Sequence, residues 1–326
     1  MSRALSLAIA AGLALAVVAL DANGATTTSS APSAAPVAAS SQETTMTPEA
    51  AAAVEAWRAK RIARLEAPDG WLTLVGLEWL DEGVNKLGSA ADATVRFPDK
   101  VPATLGTITR HDATLTLEPA SGAELTIDGK PVEGKVTLAS DDQGDPTVVS
   151  RGSISFFVIH RGDRWAVRIK DSDSPVRKSF HGIDHYPLRG DWLVQARLEP
   201  APKGTTIAVP NILGSVEDAD SPGVVVFTRD GHEVRLQAID EGDGRLFLVF
   251  GDATNGKGTY GGGRFLYADP PKAGETTVVV DFNQSYNPPC VFTPYATCPL
   301  PPKSNKLPFA VEAGEKLWAG YHHPGG

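Results

Sequence analysis

The sequence is poor in basic residues, in cysteine and in long apolar runs. Lys and Arg total 30 against 39 Asp and Glu, which gives a net charge of −9. Because nucleic-acid binding needs a basic surface against the phosphates, this balance argues against a nucleic-acid partner. The one long apolar run ends at Leu20, so we expect no membrane span once that segment has been removed.

Common catalytic motifs are missing as well. The sequence has no G-x-S-x-G, no P-loop and no H-E-x-x-H, so the usual evidence for a serine hydrolase, an NTPase or a zinc protease is lacking. The seven histidines are scattered, apart from the adjacent pair His322 and His323. No motif requires a metal or a cofactor, and we expect neither.

The N-terminus predicts export. A basic start at residues 1–3 and an apolar run at 4–20 precede the small residues at 22–25. This order is typical of a cleavable signal peptide, which we place at residues 1–24. A membrane anchor is the alternative, but the run is slightly short for one. We therefore expect a periplasmic or secreted protein.

After the signal, the composition changes twice. Residues 25–46 are mostly Ala, Ser, Thr and Pro with almost no charge, which predicts a disordered linker. Residues 47–326 are predicted to form a single β-rich domain. In that domain Thr47 and Pro48 are typical of a helix start, and an Ala-rich helix runs on to Leu65. Its basic residues are expected to form a solvated face: Arg58, Lys60, Arg61 and Arg64.

The remainder predicts an all-β fold, mainly antiparallel, built as a sandwich or a barrel-like sheet. The abundance of Gly (32) and Pro (25) favours turns between short strands. Alternating or β-branched runs predict strands at Trp71–Leu80, Thr94–Phe97, Ala113–Glu118, Glu124–Ile127, Ser153–His160, Arg164–Asp171, Trp192–Leu198, Val224–Thr228, His232–Ile239, Leu246–Phe250 and Thr276–Asn283.

Cys290 and Cys298 are the only cysteines. An isolated pair in an exported chain usually forms a disulfide, and we predict one here. The closed loop is short, so the expected stabilisation is about 2–3 kcal/mol. A two-thiolate metal site is the rival interpretation, and an oxidising compartment disfavours it.

The strand at Arg164–Asp171 carries alternating cations. Arg164, Ala166, Arg168 and Lys170 share one face, opposite an apolar face. The simplest interpretation is a solvated face over a packed one. The alternative is a stripe of cations that faces an anionic ligand.

A glycine-rich segment follows the apolar strand at Leu246–Phe250. Asp252 and Thr254 come first, and Tyr260, three glycines and Arg264 come later. Consecutive glycines permit positive φ and a close backbone approach. That property suits either a ligand contact or a bulged strand.

The third segment begins with Asp281 and Asn283 on one strand face, followed by Tyr286, Asn287 and a proline-rich run. A carboxylate among β-branched residues needs a partner, because an unpaired buried charge is costly. Arg264 and Arg168 are the cations we expect to supply it. The prolines predict a rigid loop.

These segments carry a family resemblance. The run DFNQSYNPPCVFTPYATCPLPPKSNKL and the later AGE at 313–315 are similar to a bacterial and archaeal family known only as a domain of unknown function, number sixteen eighty-four. The segments DGWLTLVGLEWL, VIHRGDRWAVRIKD and TYGGGRFL resemble it too, so the likeness spans roughly Trp71 to Glu315. The family implies no activity. It implies that certain polar residues belong to a shared pattern: Arg168, Asp171, Asp252, Tyr260, Arg264, Asp281, Asn283, Tyr286 and Asn287.

Three hypotheses remain open. In the first, seven of these residues bind a small anionic or polyhydroxylated ligand: Arg168, Asp171, Tyr260, Arg264, Asn283, Tyr286 and Asn287. In the second, the protein is a hydrolase that uses Asp252 and Asp281 as general acid and base. In the third, the cluster is an internal salt-bridge network of a structural β domain. Exposure decides between them, because a site must line an open cavity.

Overall fold

The computed structural model describes residues 45–321. The predicted signal peptide at 1–24 and most of the predicted linker at 25–46 lie outside the described residues. Export and the division into signal, linker and domain therefore stay predictions.

The described part of the chain begins with one long helix, α1 (Pro48–Glu66). The Thr47 side chain accepts a hydrogen bond from the N–H of Ala50, so the predicted N-cap is present, with proline in the first turn. A second helix, α2 (Pro175–Lys178), is a single turn. Within residues 45–321, no helix is both long and apolar enough to cross a bilayer.

Between and after these helices the described chain is mostly β-structure. Its strands are β1 (Leu74–Trp79), β2 (Gly83–Gly88), β3 (Val95–Arg96), β4 (Gly106–His111), β5 (Thr114–Pro119), β6 (Thr126–Ile127), β7 (Lys130–Pro131), β8 (Val136–Leu138), β9 (Val149–Arg151), β10 (Ile154–Arg161), β11 (Arg164–Asp171), β12 (Leu193–Pro200), β13 (Thr206–Pro210), β14 (Val216–Asp220), β15 (Gly223–Arg229), β16 (His232–Ala238), β17 (Leu246–Phe250), β18 (Arg264–Ala268) and β19 (Thr277–Asp281).

The strands form open sheets that pack in layers. One sheet has the strand order β1-β11-β10-β9-β6-β7, and a second has the order β3-β2-β4-β5-β8. The two sheets pack against each other across a core that includes Leu87, Ile108 and Phe156. The order β16-β15-β12-β19 and the β17–β18 hairpin share a second core around Phe250 and Phe282. Every pairing is antiparallel except that of β2 with β3. The predicted all-β class with an N-terminal helix is confirmed, in the sandwich form rather than as a closed barrel.

The cationic face of β11 is not the solvated face that the alternation predicts. Ala166 and Arg168 on that face are buried, because the segment around the cysteines lies over the strand. Thr293 there donates to the carbonyl of Leu74 at 3.0 Å, and Arg168 donates to Thr297 at 3.4 Å. Only Arg164 at the end of the strand is exposed.

The solvated basic face predicted for α1 is also wrong for two of its arginines. Arg61 donates to the buried carboxylate of Glu315 at 3.2 Å and to the carbonyl of Asn287 at 2.9 Å. Arg58 donates to the carbonyl of Tyr186 at 3.3 Å. These contacts join α1 to residues more than a hundred positions later, which local periodicity does not reveal.

The docking of α1 can be tested with two arginines of the same helix. Arg61→Ala leaves the Glu315 carboxylate buried without its cation, so we expect a loss of about 3 kcal/mol in the free energy of unfolding. Arg64→Ala removes only the exposed pair with Asp69, so we expect a change within about 0.5 kcal/mol. Urea unfolding of both variants measures the difference, and equal losses would contradict this account of helix docking.

Candidate functional site

A fully buried ion pair lies at the end of the β17–β18 hairpin. Nη2 of Arg264 donates to Oδ2 of Asp252 at 2.8 Å, and both side chains have 0% exposure. Arg264 also donates to the carbonyls of Val311 and Ala313. The other carboxylate oxygen of Asp252 accepts from Thr254 and from the N–H of Val311.

This pair answers part of the exposure question. Because internal donors surround the carboxylate of Asp252, it has no free face for a substrate. Asp252 and Asp281 also line different cavities and share no hydrogen-bonding partner among the described residues. For Asp252 and Arg264 the geometry favours the structural hypothesis.

Asp281 does not pair with Arg264 or Arg168, the cations expected for it. Its carboxylate accepts from the side chains of Asn283 at 2.8 Å and Gln284 at 3.1 Å. Asn283 is buried and also bridges both backbone groups of Arg189. Asn283 thus stabilises the turn after β19. Asp281 is half-buried and lines a cavity.

Arg168 and Asp171 lie on β11, away from the Asp252–Arg264 pair. Asp171 accepts from Lys100 at 2.6 Å and from the N–H of Asp173 at 2.9 Å. Arg168 forms no salt bridge within residues 45–321, and its buried Nε has no partner there. Burial, with the nearby Arg161, lowers the pKa of Arg168 to about 10.

Asn287 belongs to the anchor of α1. Its N–H donates to Glu315 at 2.7 Å, and its side chain donates to the carbonyl of Lys316 at 2.7 Å. The resemblance included the AGE segment, but it did not single out Glu315 as a site residue. Glu315 pairs with Arg61, which is 254 positions away. The sequence therefore indicates Glu315 only as an acidic residue within the AGE segment.

Tyr260 and Tyr286 are in different surroundings. Tyr260 is buried with its ring edge-on to Tyr321, at a centroid distance of 5.5 Å. Tyr286 is half-buried and lies parallel to Tyr267 at 6.4 Å, with the Arg61 guanidinium 4.6 Å from its ring centre. Burial raises the pKa of both Tyr267 and Tyr286, so their hydroxyls stay protonated at ordinary pH.

Cys290 and Cys298 are both buried as thiols. The N–H of Cys290 donates to Sγ of Cys298 at 3.2 Å, so the fold brings the two side chains together. The disulfide between them stays a prediction.

Two open cavities flank these residues. The first, which we name the aromatic cleft, has a volume of about 570 Å³. Its aromatic and polar lining includes Trp57, Arg245, Tyr267, Asp281, Gln284 and Tyr286. Of these, Asp281 and Tyr286 were predicted from the sequence, whereas Trp57, Tyr267, Arg245 and Gln284 were not.

The second cavity, which we name the glycine–proline groove, has a volume of about 1110 Å³. Its walls are β13, the turn at residues 251–263 and the run at residues 300–307. Gly263 and Pro301 touch at the base of the groove, since a Cβ on Gly263 would lie 2.5 Å from Cγ of Pro301.

The glycine-rich turn is not a nucleotide-binding loop. Residues 251–259 read G-x-x-x-x-G-K-G-T, and residues 256–261 fit G-x-G-x-x-G, but both motifs require a helix immediately afterwards. Here β18 follows instead. The N–H groups of Gly256, Lys257 and Gly258 donate to carbonyls of the same turn, so they are not available to phosphates.

Within residues 45–321, no three His, Cys, Asp or Glu side chains come together in the way that a metal site requires.

Comparison with known families finds a match for part of the chain. Residues 178–316 match the family described as "Protein of unknown function (DUF1684)". The match includes the Asp252–Arg264 pair and all the residues that line the glycine–proline groove. It begins well after Trp71, where the resemblance was expected to start, and it does not include α1. No curated protein matches the chain.

Two solved structures show weak similarity. An uncharacterised protein of Haloarcula marismortui is 29% identical, with 43% of this chain and 78% of that chain covered and a TM-score of 0.36. A chain from a study of phosphothreonine-dependent FHA domain interactions is 21% identical, with 30% and 96% covered and a TM-score of 0.20. TM-scores this low do not establish a shared fold.

The two buried arginines should respond differently to substitution by methionine. Arg264→Met leaves Asp252 buried without a cation, so we expect a loss of about 3–5 kcal/mol in the free energy of unfolding. Arg168→Met removes a buried cation that has no carboxylate partner, so we expect a change within about 1 kcal/mol. Denaturant unfolding measures both free energies of unfolding. A larger loss for Arg168→Met than for Arg264→Met would contradict the structural role assigned to the Asp252–Arg264 pair.

The contact between Gly263 and Pro301 can be tested against a second glycine of the same turn. Gly263 has φ +92° and no room for a Cβ, whereas Gly256 has φ +76° and open space around it. Gly256→Ala should cost about 1 kcal/mol from backbone strain alone. Gly263→Ala should cost about 3 kcal/mol, because overpacking adds to the strain. Thermal unfolding distinguishes the two; similar losses would mean that both Pro301 and the carbonyl of Phe250, 2.6 Å from the same Cβ position, move aside freely.

Proposed function

We propose that this protein binds a small hydroxyl-rich ligand in the aromatic cleft. The observation that carries the proposal is the convergence of three aromatic rings on one open cavity: those of Trp57, Tyr267 and Tyr286. Its volume of about 570 Å³ suits a small molecule, since ligand pockets commonly range from about 300 to 1,000 Å³.

The rings supply flat apolar surface. Trp57 and Tyr286 lie 6.0 Å apart at a tilt of 53°, so they present two differently oriented faces. A ligand with C–H groups on one side and hydroxyls on its rim, such as a sugar ring, can cover these faces while its hydroxyls remain in reach of polar groups.

Polar side chains at the same cleft supply donors and acceptors. Asp281, Gln284 and Arg245 all line it. A carboxylate and a guanidinium form stronger hydrogen bonds to hydroxyls than neutral groups do. The ionisable lining residues are Arg245 and Lys272 against Asp269, Glu275 and Asp281. Asp243 pairs with Arg245 at 2.6 Å, so carboxylates are in excess, and this excess favours a neutral hydroxylated ligand over an anionic one.

The rings are held in place before any ligand arrives. Tyr267 stacks on Phe247 at 4.8 Å and lies beneath the Arg245 guanidinium at 4.0 Å. Tyr286 is fixed by Arg61 and by edge-on contact with Phe265. A pre-organised site loses little conformational entropy on binding. The predicted signal peptide would place this binding outside the cytoplasm.

The test is a calorimetric titration with glucose, maltose and glucuronate. We expect the neutral sugars to bind more tightly than glucuronate, and Trp57→Leu to weaken binding about tenfold, the factor that about 1.4 kcal/mol produces. Trp57 is half-buried on the helix surface, so the fold should tolerate this change.

Trp79→Leu is the matched control, because Trp79 is a half-buried tryptophan on β1 that packs under Arg164, 3.7 Å from its guanidinium, and does not line the cleft. Sugar binding that Trp57→Leu leaves intact would place the ligand elsewhere. The absence of saccharide binding in the wild type would refute the proposal.

A further inference from the structure

The glycine–proline groove is larger than the aromatic cleft and has a different character. We infer that it is a second binding site, for an amphiphilic organic anion with a carboxylate or phosphate head and an apolar body. This inference does not depend on the function proposed for the aromatic cleft, because the two cavities have no lining residue in common.

The charge of the groove carries the argument for an anion. Its ionisable lining residues are Asp252, Lys303 and Lys306. Arg264 neutralises the sealed carboxylate of Asp252 at 2.8 Å, so the groove presents the two lysines alone. Neither lysine ammonium forms a salt bridge or hydrogen bond with another residue in the described part of the chain. Two unpaired cations in a concave wall of an acidic protein concentrate anions there.

The two lysines are placed by a rigid residue between them. Asn305 is fully buried and donates to the carbonyls of Gln237 at 2.9 Å and Val249 at 3.0 Å. It also accepts from the N–H of Gln237 at 2.8 Å. The backbone on either side of Asn305 is thereby fixed, so Lys303 and Lys306 project from a defined position.

The rest of the groove is apolar enough for a hydrocarbon body. Its apolar lining consists of Ile207, Ala208, Pro210, Val216, Leu300, Pro301, Pro302 and Leu307. Val216 is 63% exposed on β14, and an exposed valine beside a groove gains from being covered. An anion with an attached alkyl chain satisfies both the lysines and this surface.

The glycine-rich turn forms the opposite wall and carries no cation into the groove. Its contribution is shape. Glycines at 261–263 leave the wall without side chains, and the contact of Gly263 with Pro301 holds that wall against the proline run. Lys303 and Lys306 are the cations of the groove, so they are the groups that recognise the head group.

The experiment titrates the purified protein with octanoate, octyl phosphate, 1-octanol and octyltrimethylammonium, all below their micelle concentrations. We expect one or both anions to bind, the neutral and cationic probes to bind at least about tenfold more weakly, and added salt to weaken anion binding. The comparison of octanoate with octyl phosphate identifies the head group.

The double variant Lys303→Gln/Lys306→Gln should lose at least about tenfold in anion affinity. Both lysines are exposed, so the unfolding temperature should not change. Val216→Asp, a change at an exposed position that adds a negative charge to the groove, should cause a similar loss. Lys257→Gln is the matched control, because Lys257 is an exposed lysine of the facing turn that does not line the groove.

Trp57→Leu should leave anion binding unchanged, which separates this site from the aromatic cleft. Three results would overturn the inference: no anion binds the wild type, 1-octanol binds as tightly as the anions, or the double lysine variant retains full affinity.

Discussion

The buried pair of Arg264 and Asp252 is the interaction on which the C-terminal half depends. Arg264 starts β18 and Asp252 follows β17, so the pair closes the end of that hairpin. The same guanidinium binds the carbonyls of Val311 and Ala313, and it thereby fixes the segment that carries Glu315. Glu315 in turn binds Arg61 of α1. One internal cation thus sets the position of the C-terminal segment and, through it, of the helix that borders the aromatic cleft.

Sequence patterns were informative about the fold where the signal is local. The bounds of β11 and β17 match the predicted strands, since each has a clear alternation or a continuous apolar run. The start of α1 matches because Thr47 and Pro48 act through bonds within one turn. Strands such as β2 and β13 were missed, because short runs edged by glycine or proline carry little periodicity and take their conformation from neighbouring strands.

Sequence patterns were less informative about the site, for a physical reason. The predicted residues bond to partners that composition does not specify, and several of those partners lie far along the chain. Asp281 bonds to near neighbours rather than to an arginine, and Arg61 turns inward to Glu315. The rings of Trp57 and Tyr267 look like ordinary core aromatics in sequence. Only the packing of α1 against Tyr286 and the turn that follows β19 reveals that they share a cavity with Tyr286.

The aromatic cleft is lined by two stretches of chain, and only one of them lies within the family match. Tyr267 and Tyr286 lie within residues 178–316, the region that matches the family, whereas Trp57 lies in α1, outside that match. The ion pair that holds the shared region together makes no use of Trp57. A substitution at Trp57 can therefore remodel one wall of the cleft without touching the buried pair or the Arg61–Glu315 contact that docks the helix. For the proposed sugar site, selectivity and helix docking thus depend on different residues of α1.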